Sequence, residues 1–526
     1  MVRGHLTRRG LGLAAGAVLL APRTARAGSN RLTIAQTQFG PVRLSPDGPV
    51  LSARGIPYGA DTGPLRFLPP AAPPLWTEPL DATDYGPASP QRGGEPNQSE
   101  DCLRLNIWTP ELHAGSRPVI VYIHGGAYST GSGSSPLTNG ARLSARGDVV
   151  VVTLNHRLGP LGYASLARLT GFARAFRESG NLGQIDLVRA LGWVKQNITA
   201  FGGDPGCVTV VGQSGGGAKI ATLMAMPAAV GLFHRAVTMS GQQVTASGPL
   251  NATRRAEVWL EALGLTPDRI DEVRTMPVER LIEAAGATDP ILGGSLYFGP
   301  VLDGRSLTRH PFWPDAAPQS AHIPMMIGNT REETLAFLGG DPANAGLTWE
   351  ALPARLTPSQ MRIDVAPEEV VAWYRREHPG MSPDQVLIRA ATAARSWRAA
   401  VIEAEMRAEQ GSPAFVYQLD WASRLPNGRT GAFHTSDIPL MLDNVAAEGS
   451  GAVGPAAQAM ADRMSDALLA FARTGDPNHA GLPPWTPYSL ERRETMVMDL
   501  PPRMADDPRG DERRFFGRIP YIQPGT

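Results

Sequence analysis

The sequence predicts an α/β fold: a large, mostly parallel central sheet with helices on both faces, a small antiparallel β region before it and helical excursions above it. Three observations carry this. Apolar runs of strand length recur with helical segments between them. The runs are apolar at consecutive positions, as strands covered on both faces must be. One of them ends in a serine fenced by glycines, just before a helix-like segment.

Residues 31–58, "RLTIAQTQFGPVRLSPDGPVLSARGIPY", alternate apolar and polar side chains and break at Gly and Pro, which predicts short antiparallel strands. The Pro-rich "RFLPPAAPPLW" from Arg66 reads as a surface excursion. Sheet strands follow in "RPVIVYIHGG" from Arg117, "GDVVVVTLNHR" from Gly147, "CVTVVGQSGGG" from Cys207, "RAVTMSGQ" from Arg235, "IPMMIGNT" from Ile323 and "PAFVYQLD" from Pro413. Among the helices, Asp186 to Phe201 has the clearest helical spacing. The segments 251–285 and 342–407 are helix-rich and break the strand rhythm, as insertions above a sheet would. We therefore expect one large α/β domain over residues 28–526 rather than two domains.

Residues 1–27 read as an export signal. Arg8-Arg9 precede an apolar stretch, Leu11 to Ala21, and Ala25-Arg26-Ala27 suits a cleavage site. The stretch is too short to span a bilayer. The arginine pair resembles a twin-arginine signal of a bacterial protein, with an ordinary secretory signal as the alternative. Either route implies a mature chain from near Gly28, periplasmic or secreted, with no membrane span.

The chain of 526 residues is 42% hydrophobic and 19% charged, with 49 Lys+Arg against 49 Asp+Glu. This balance gives no reason to expect nucleic acid as a partner and favours a small, weakly charged substrate. Cys102 and Cys207 allow at most one disulfide and no Cys/His metal cluster. We read both as buried free thiols, a bridge between them being the alternative.

The glycine-fenced serine is Gly212-Gln213-Ser214-Gly215-Gly216. In a G-x-S-x-G elbow, the strand turns so sharply into a helix that the hydroxyl is presented at the carboxyl end of a sheet. "VTVV" before it and "AKIATLMAMP" after it supply that strand and helix. A phosphate-cradling loop would need a G-x-x-x-x-G-K-[ST] or G-x-G-x-x-G spacing, which is absent. A serine hydroxyl is a weak nucleophile, so it needs a base, an acid to orient that base, and donors for the oxyanion. A second glycine turn, His124-Gly125-Gly126-Ala127, follows a strand and has the H-G-G form that supplies such donors.

With these motifs, "RGIPYG", "RFLPP", "SEDCLRLNIWTP", "NHRLGPLGY", "GNLGQIDLVRALGWVKQNITAFGGDPG", "FGPVLDG", "GAFHTSDIP" and "FARTGDPNHAGLPPWTPY" make the chain resemble a type-B carboxylesterase. This is the carboxylesterase and cholinesterase group of the α/β-hydrolases, and the resemblance covers nearly the whole mature chain. It implies a cofactor-free, metal-free serine hydrolase with the chain order Ser, acid, His. Ser214 matches the nucleophile and His434 the base; His378 and His479 read as surface-loop histidines, while His124 and His156 organise loops. The second carboxylate of Arg331-Glu332-Glu333-Thr334 matches the acid, so we expect Glu333, with Glu332 as the alternative; relatives usually carry glycine where Thr334 stands. The resemblance places the oxyanion donors at the N–H groups of Gly126, Ala127 and Gly215, and supporting groups at Ser240 and Asp437.

Three departures bear on substrate. The family's first disulfide would join Cys102 to a position occupied here by Ser89. The loop "QRGGEPNQSE" lacks the aromatic that captures choline in cholinesterases, which argues against that activity. Gly294 and Leu296 stand at the offsets where cholinesterases narrow the acyl pocket with aromatics, predicting a roomier acyl site. The resulting expectation is hydrolysis of small to medium, largely uncharged esters. The alternatives are amides, carbamates or long-chain lipid esters cleaved by the same residues, or a non-catalytic binding protein of this fold.

Overall fold

The computed structural model describes residues 33–112 and 115–523, with residues 1 and 525. The expected export segment therefore lies outside the described residues, apart from Met1. The N-terminal strands β1 (Thr33–Gln36), β2 (Pro41–Asp47) and β3 (Val50–Pro57) pair antiparallel, with the short β4 (Leu80–Asp81) beside β2. The next seven strands are β5 (Arg104–Thr109), β6 (Arg117–Ile123), β7 (Val150–Leu154), β8 (Gly203–Gln213), β9 (Arg235–Met239), β10 (Met325–Thr330) and β11 (Ala414–Leu419). A small hairpin, β12 (Ser423–Arg424) with β13 (Thr430–Gly431), precedes β14 (Glu494–Met498) and β15 (Arg503–Asp506).

Across the large sheet the strands run β1-β2-β3-β5-β7-β6-β8-β9-β10-β11-β14-β15. From β7 to β14 every pairing is parallel, and the remaining pairings along this order are antiparallel, with the off-path β4 parallel to β2. The chain lays β7 on one side of β6 and β8 on the other. Such a reversal leaves a crevice at the carboxyl ends of neighbouring strands, where open α/β sheets hold their ligands.

Eight helices carry the argument below: α1 (Leu182–Asn197), α2 (Gly215–Leu223), α3 (Pro249–Ala262), α4 (Val278–Ala284), α5 (Pro367–Glu377), α6 (Pro383–Thr392), α7 (Arg398–Glu409) and α8 (Pro455–Thr474). The strand period of two divides β6 between two cores. Val119, Val121 and Ile123 pack with Leu187, Leu191 and Val194 of α1 and Ile220 of α2. Ile120 and Tyr122 face the opposite way, with Met464, Leu468 and Phe471 of α8. Both faces being covered, an uninterrupted apolar run is what the strand requires, at roughly 1.5–3 kcal/mol for each large side chain buried.

The helix expected over Asp186 to Phe201 begins earlier, at Leu182, and its end tightens into a 3₁₀ turn over Ile198–Phe201, closed by Gly202 at φ 81°. The two helix-rich insertions bury clusters of their own. Trp259, Leu260 and Leu281 gather around Tyr128 and Phe298, while Val370, Trp373, Val386 and Leu387 form a separate group. Strands β5, β14 and β15 were not separable from loops by periodicity. β5, "RLNIWT", interleaves Arg, Asn and Thr with its apolar residues and is buried by its place between β3 and β7.

Candidate active site

Strand β8 ends at Gln213 and α2 begins at Gly215, leaving Ser214 between them at φ 56°, ψ −125°. A side-chain-bearing residue seldom adopts positive φ, and here the surroundings enforce it. The Ser214 N–H donates to the Met239 carbonyl at 2.7 Å. The flanking glycines are steric necessities: a Cβ on Gly215 would stand 2.0 Å from the Ala127 oxygen, and one on Gly216 2.0 Å from the Ile123 oxygen. Helix α2 is thus pressed against the end of β6, which brings the serine beside the H-G-G turn. Ala127, Ser240 and Thr435 also have positive φ, and such strain in non-glycine residues collects at functional sites.

His434 follows the β12–β13 hairpin, and Glu333 follows β10. His434 Nδ1 lies 2.5 Å from Glu333 Oε2, and the His434 N–H donates to the Glu333 carbonyl at 3.2 Å. Glu333 Oε1 accepts from the Thr330 N–H at 2.8 Å and from Asn329 Nδ2 at 3.2 Å. Burial by itself would raise the carboxyl, but the facing His434 and these hydrogen bonds hold it below the usual glutamate range. Glu332 turns elsewhere, its Oε2 accepting from the Ala432 N–H at 3.2 Å. Thr334 adopts ordinary helical angles, and its hydroxyl donates to the Ile388 carbonyl at 2.7 Å, so this turn does not need glycine. His378 sits by Asp511 at 3.2 Å and His479 by the Arg463 carbonyl at 3.1 Å, neither on the serine's cavity.

Ser214, Gly215, Ala127 and His434 line one cavity of about 140 Å³, whose walls include Gln242, Gln243, Tyr297, Phe337, Arg395 and Tyr521. The backbone N–H groups of Gly126, Ala127 and Gly215 donate to no acceptor among the described residues. Below them, Lys219 Nζ donates to the His124 carbonyl at 3.1 Å, tying α2 to the root of that turn. Burial brings the Lys219 ammonium down to about 7. His124 stacks on His156 at 4.8 Å. Larger hollows lie elsewhere, one of about 660 Å³ between Trp313, Arg398 and Tyr521 and one of about 560 Å³ beside Trp373, and neither contains a serine next to a histidine.

Sequence reasoning did not single out Gln213, Tyr297, Phe337, Arg395 or Lys219. The Gln213 amide nitrogen lies 3.3 Å from His434 Nε2 and 3.4 Å from Nδ1. The ring of Phe337 leans on His434 with centroids 5.1 Å apart. The acyl-site expectation is corrected by one residue. Gly294 is exposed at φ 71° in a Gly-Gly turn, and Leu296 is buried in the cluster around Trp259. Tyr297 instead stands on the cavity wall, so the roomier site does not follow from those two positions. Both cysteines are free, Cys102 buried and Cys207 only partly so. Burial pushes the Cys102 thiol up to about 12, with the Ser89 hydroxyl hydrogen-bonded beside it, where the resemblance implied the missing partner.

Ser240 lies near enough to Glu333 for its hydroxyl to help keep that carboxyl low, although it makes no hydrogen bond of standard geometry. Asp437 Oδ2 accepts from the Tyr417 hydroxyl at 2.9 Å, and Oδ1 has no partner. Burial first, then the charge of Glu333, raise the Asp437 carboxyl to about 7. The folded state then binds this proton more tightly than the unfolded chain, whose carboxyl titrates near about 3.9, so stability falls as pH rises through that window and levels off above it. Asp437→Asn keeps an acceptor for Tyr417 and removes the charge. Its melting temperature relative to the parent is expected to climb by a few degrees between pH 4 and pH 7; a difference that stays flat with pH would contradict this origin.

Comparison with known proteins bears on the family and the fold. The family model described as the carboxylesterase family matches residues 33–516. The chain is 35% identical to para-nitrobenzyl esterase of Bacillus subtilis over 498 residues, covering 91% of this chain and 98% of that protein. It is 34% identical to phenmedipham hydrolase of Pseudarthrobacter oxydans, covering 85% of this chain and 90% of that one. A carboxylesterase structure from Geobacillus stearothermophilus superposes with a TM-score of 0.83 at 35% identity, covering 92% of this chain and 100% of that chain. Among the described residues no helix is long and apolar enough to cross a membrane. From sheet, elbow and relatives together, the chain belongs to the carboxylesterase family and is a carboxylic-ester hydrolase of the α/β-hydrolase fold.

Proposed function

We propose that the chain hydrolyses small to medium carboxylic esters through an acyl-enzyme on Ser214, with His434 as base and Glu333 as its orienting acid. The observation that carries this is the 2.5 Å contact between Glu333 and His434, the latter on a cavity lined also by Ser214 and by Ala127 and Gly215 with their unengaged N–H groups. Glu333 takes the Nδ1 proton as its hydrogen bond, which leaves Nε2 as the lone-pair nitrogen facing the cavity. Among the described residues Ser214 Oγ makes no hydrogen bond; such contacts tighten once substrate is in place. Nε2 then receives the Oγ proton as the serine attacks the ester carbonyl, and Glu333 stabilises the imidazolium. The oxyanion finds its donors at Gly126, Ala127 and Gly215, each contributing about 10²–10³ in rate. The imidazolium returns its proton to the departing alkoxide, and water attacks the acyl-enzyme by the reverse relay.

Chain length tests the size class. Across 4-nitrophenyl esters from acetate to palmitate, kcat/KM is expected to peak at short to medium acyl chains, because about 140 Å³ holds only a few carbons beside the alcohol. A palmitate optimum would move the reading to a lipid esterase. The corresponding anilides test amide cleavage, and the phenmedipham hydrolase among the relatives makes phenmedipham itself the next compound to try. Export with cleavage near Ala27 belongs to the same reading and rests on the sequence of residues 1–27.

A further inference from the structure

The walls of the catalytic cavity are neutral except at Arg395 and the base His434. Arg395 lies in a π-helical turn, Ala393–Trp397, between α6 and α7. Single π turns widen a helix by one residue and frequently occur at functional sites. Ala393, Ala394 and Trp397 stay buried in this turn, whereas Arg395 and Ser396 open onto the cavity. Among the described residues the Arg395 guanidinium makes no hydrogen bond and no ion pair. Its one specific contact is the face of Phe337, 5.7 Å away, the ring that leans on His434.

The half-buried Arg362 and Arg398 side chains likewise make no hydrogen bond or ion pair among the described residues but stand off this cavity, whereas the most deeply buried arginines are paired. Arg157 pairs with Asp186, Arg255 with Asp289 and Arg509 with Glu512, and Arg407 donates to the Ser320 and Ile323 carbonyls. Around Arg395 the carboxyls are committed. Glu333 is held by Thr330, Asn329 and His434. Glu403 accepts from the Gln243 N–H, and burial pushes its carboxyl well above the usual range, which disfavours its charged form. The nearby cation Arg362 adds to the positive field at Tyr297 and Tyr521. Burial and Arg362 together push the Arg395 guanidinium below its ordinary value, the direction expected of a cation lacking its anion.

A guanidinium presents five N–H donors in a planar fork that matches a carboxylate, and leaving it partly desolvated and unpaired is costly. We propose that Arg395 anchors a carboxylate carried by the ester itself, so that the preferred substrates are esters bearing one free carboxylate, such as half-esters of dicarboxylic acids. This rests on the esterase reading above and deepens it. Formal neutrality of the whole chain does not conflict with it, since net charge describes the surface and not one side chain within a cavity. The hydrolysis is otherwise unchanged: water adds across the acyl–oxygen bond, and a half-ester gives an alcohol and a dicarboxylate.

The test compares monoethyl adipate with its neutral counterpart ethyl hexanoate, and 4-acetoxybutanoate with butyl acetate, by pH-stat. The first pair places the carboxylate on the acyl side and the second on the alcohol side. In Arg395→Gln the anionic-to-neutral ratio of kcat/KM is expected to fall by about tenfold to a hundredfold in at least one pair, mainly through KM, as loss of a charged hydrogen-bonded pair predicts. Arg395→Lys should recover part of the ratio. Equal losses on anionic and neutral esters would overturn the anchor and leave Arg395 as packing for Phe337. A second readout does not depend on turnover: calorimetric binding of monoethyl adipate to Ser214→Ala, against the same chain with Arg395→Gln added. Binding weakened about tenfold or more supports the anchor even if the esters chosen are poor substrates. Binding that is unchanged, or absent from both, refutes it whatever becomes of the esterase reading.

Discussion

Ser214→Ala is expected to lower kcat on 4-nitrophenyl acetate by about 10⁴–10⁶-fold while leaving the fold intact. The size follows from the chemistry: without Oγ no acyl-enzyme forms, and the remaining rate comes from oriented water and the oxyanion donors. Single-turnover experiments should lose the burst of nitrophenol that marks acylation. His434→Ala should cost about as much, and the double variant little more, because nucleophile and base act as one unit. The strain at the elbow adds a second readout. Ser214 is held at φ 56°, and Ala, which also carries a Cβ, keeps that strain. Gly does not, so Ser214→Gly should be as inactive as Ser214→Ala yet melt higher, since about 1 kcal/mol or more of backbone strain is released. A Ser214→Ala chain that keeps a substantial fraction of the parent rate would mean that another nucleophile acts.

The elbow was legible in the sequence because its glycines answer to local sterics. A Cβ on Gly215 or Gly216 would meet a backbone oxygen at 2.0 Å, so nothing larger fits, and the glycine spacing between a strand run and a helix run declares the turn. The parallel strands were legible for a similar reason, as burial on two faces makes the middles of β6, β7 and β8 predominantly apolar runs. The acid and base were not: Glu333 and His434 are 101 residues apart, and only the family resemblance joined them. Resemblance favoured Glu333 over Glu332 on a short motif only, and the turn after β10 sends these neighbours to different partners. The residue on the cavity wall was missed by one position, Leu296 for Tyr297, because facing in a loop beyond a Gly-Gly turn has no period to read. Arg395 stands in a run that reads as an ordinary helix, and a π turn leaves no compositional mark. Lys219, fully buried on α2, passes in sequence for a solvated helix residue.

Glu333→Gln isolates what the acid contributes. The amide is nearly isosteric, and its oxygen can still accept from the Thr330 N–H that now holds Oε1 at 2.8 Å. Its nitrogen then replaces the oxygen that lies 2.5 Å from His434 Nδ1. Two donors cannot face each other, so the imidazole must carry its proton on Nε2 and present a lone pair to the amide at Nδ1. Nε2 then has no lone pair to receive the Ser214 proton, and kcat should fall by about 10⁴-fold, the cost of the wrong tautomer in a serine triad. The effect should appear in kcat with little change in KM, because the substrate does not touch the buried carboxylate. Stability supplies the sign check. The Glu333 carboxyl is held below its unfolded value, so its contribution is present above the unfolded pKa and is lost as pH falls through the folded one. The parent should therefore out-melt Glu333→Gln at neutral pH, and the gap should close in acid. Glu332→Gln is the control, since that carboxylate accepts only from the Ala432 N–H and lies off the relay. If the Glu332 variant lost the activity and the Glu333 variant kept it, the orienting acid would have to be reassigned and the 2.5 Å contact would be structural.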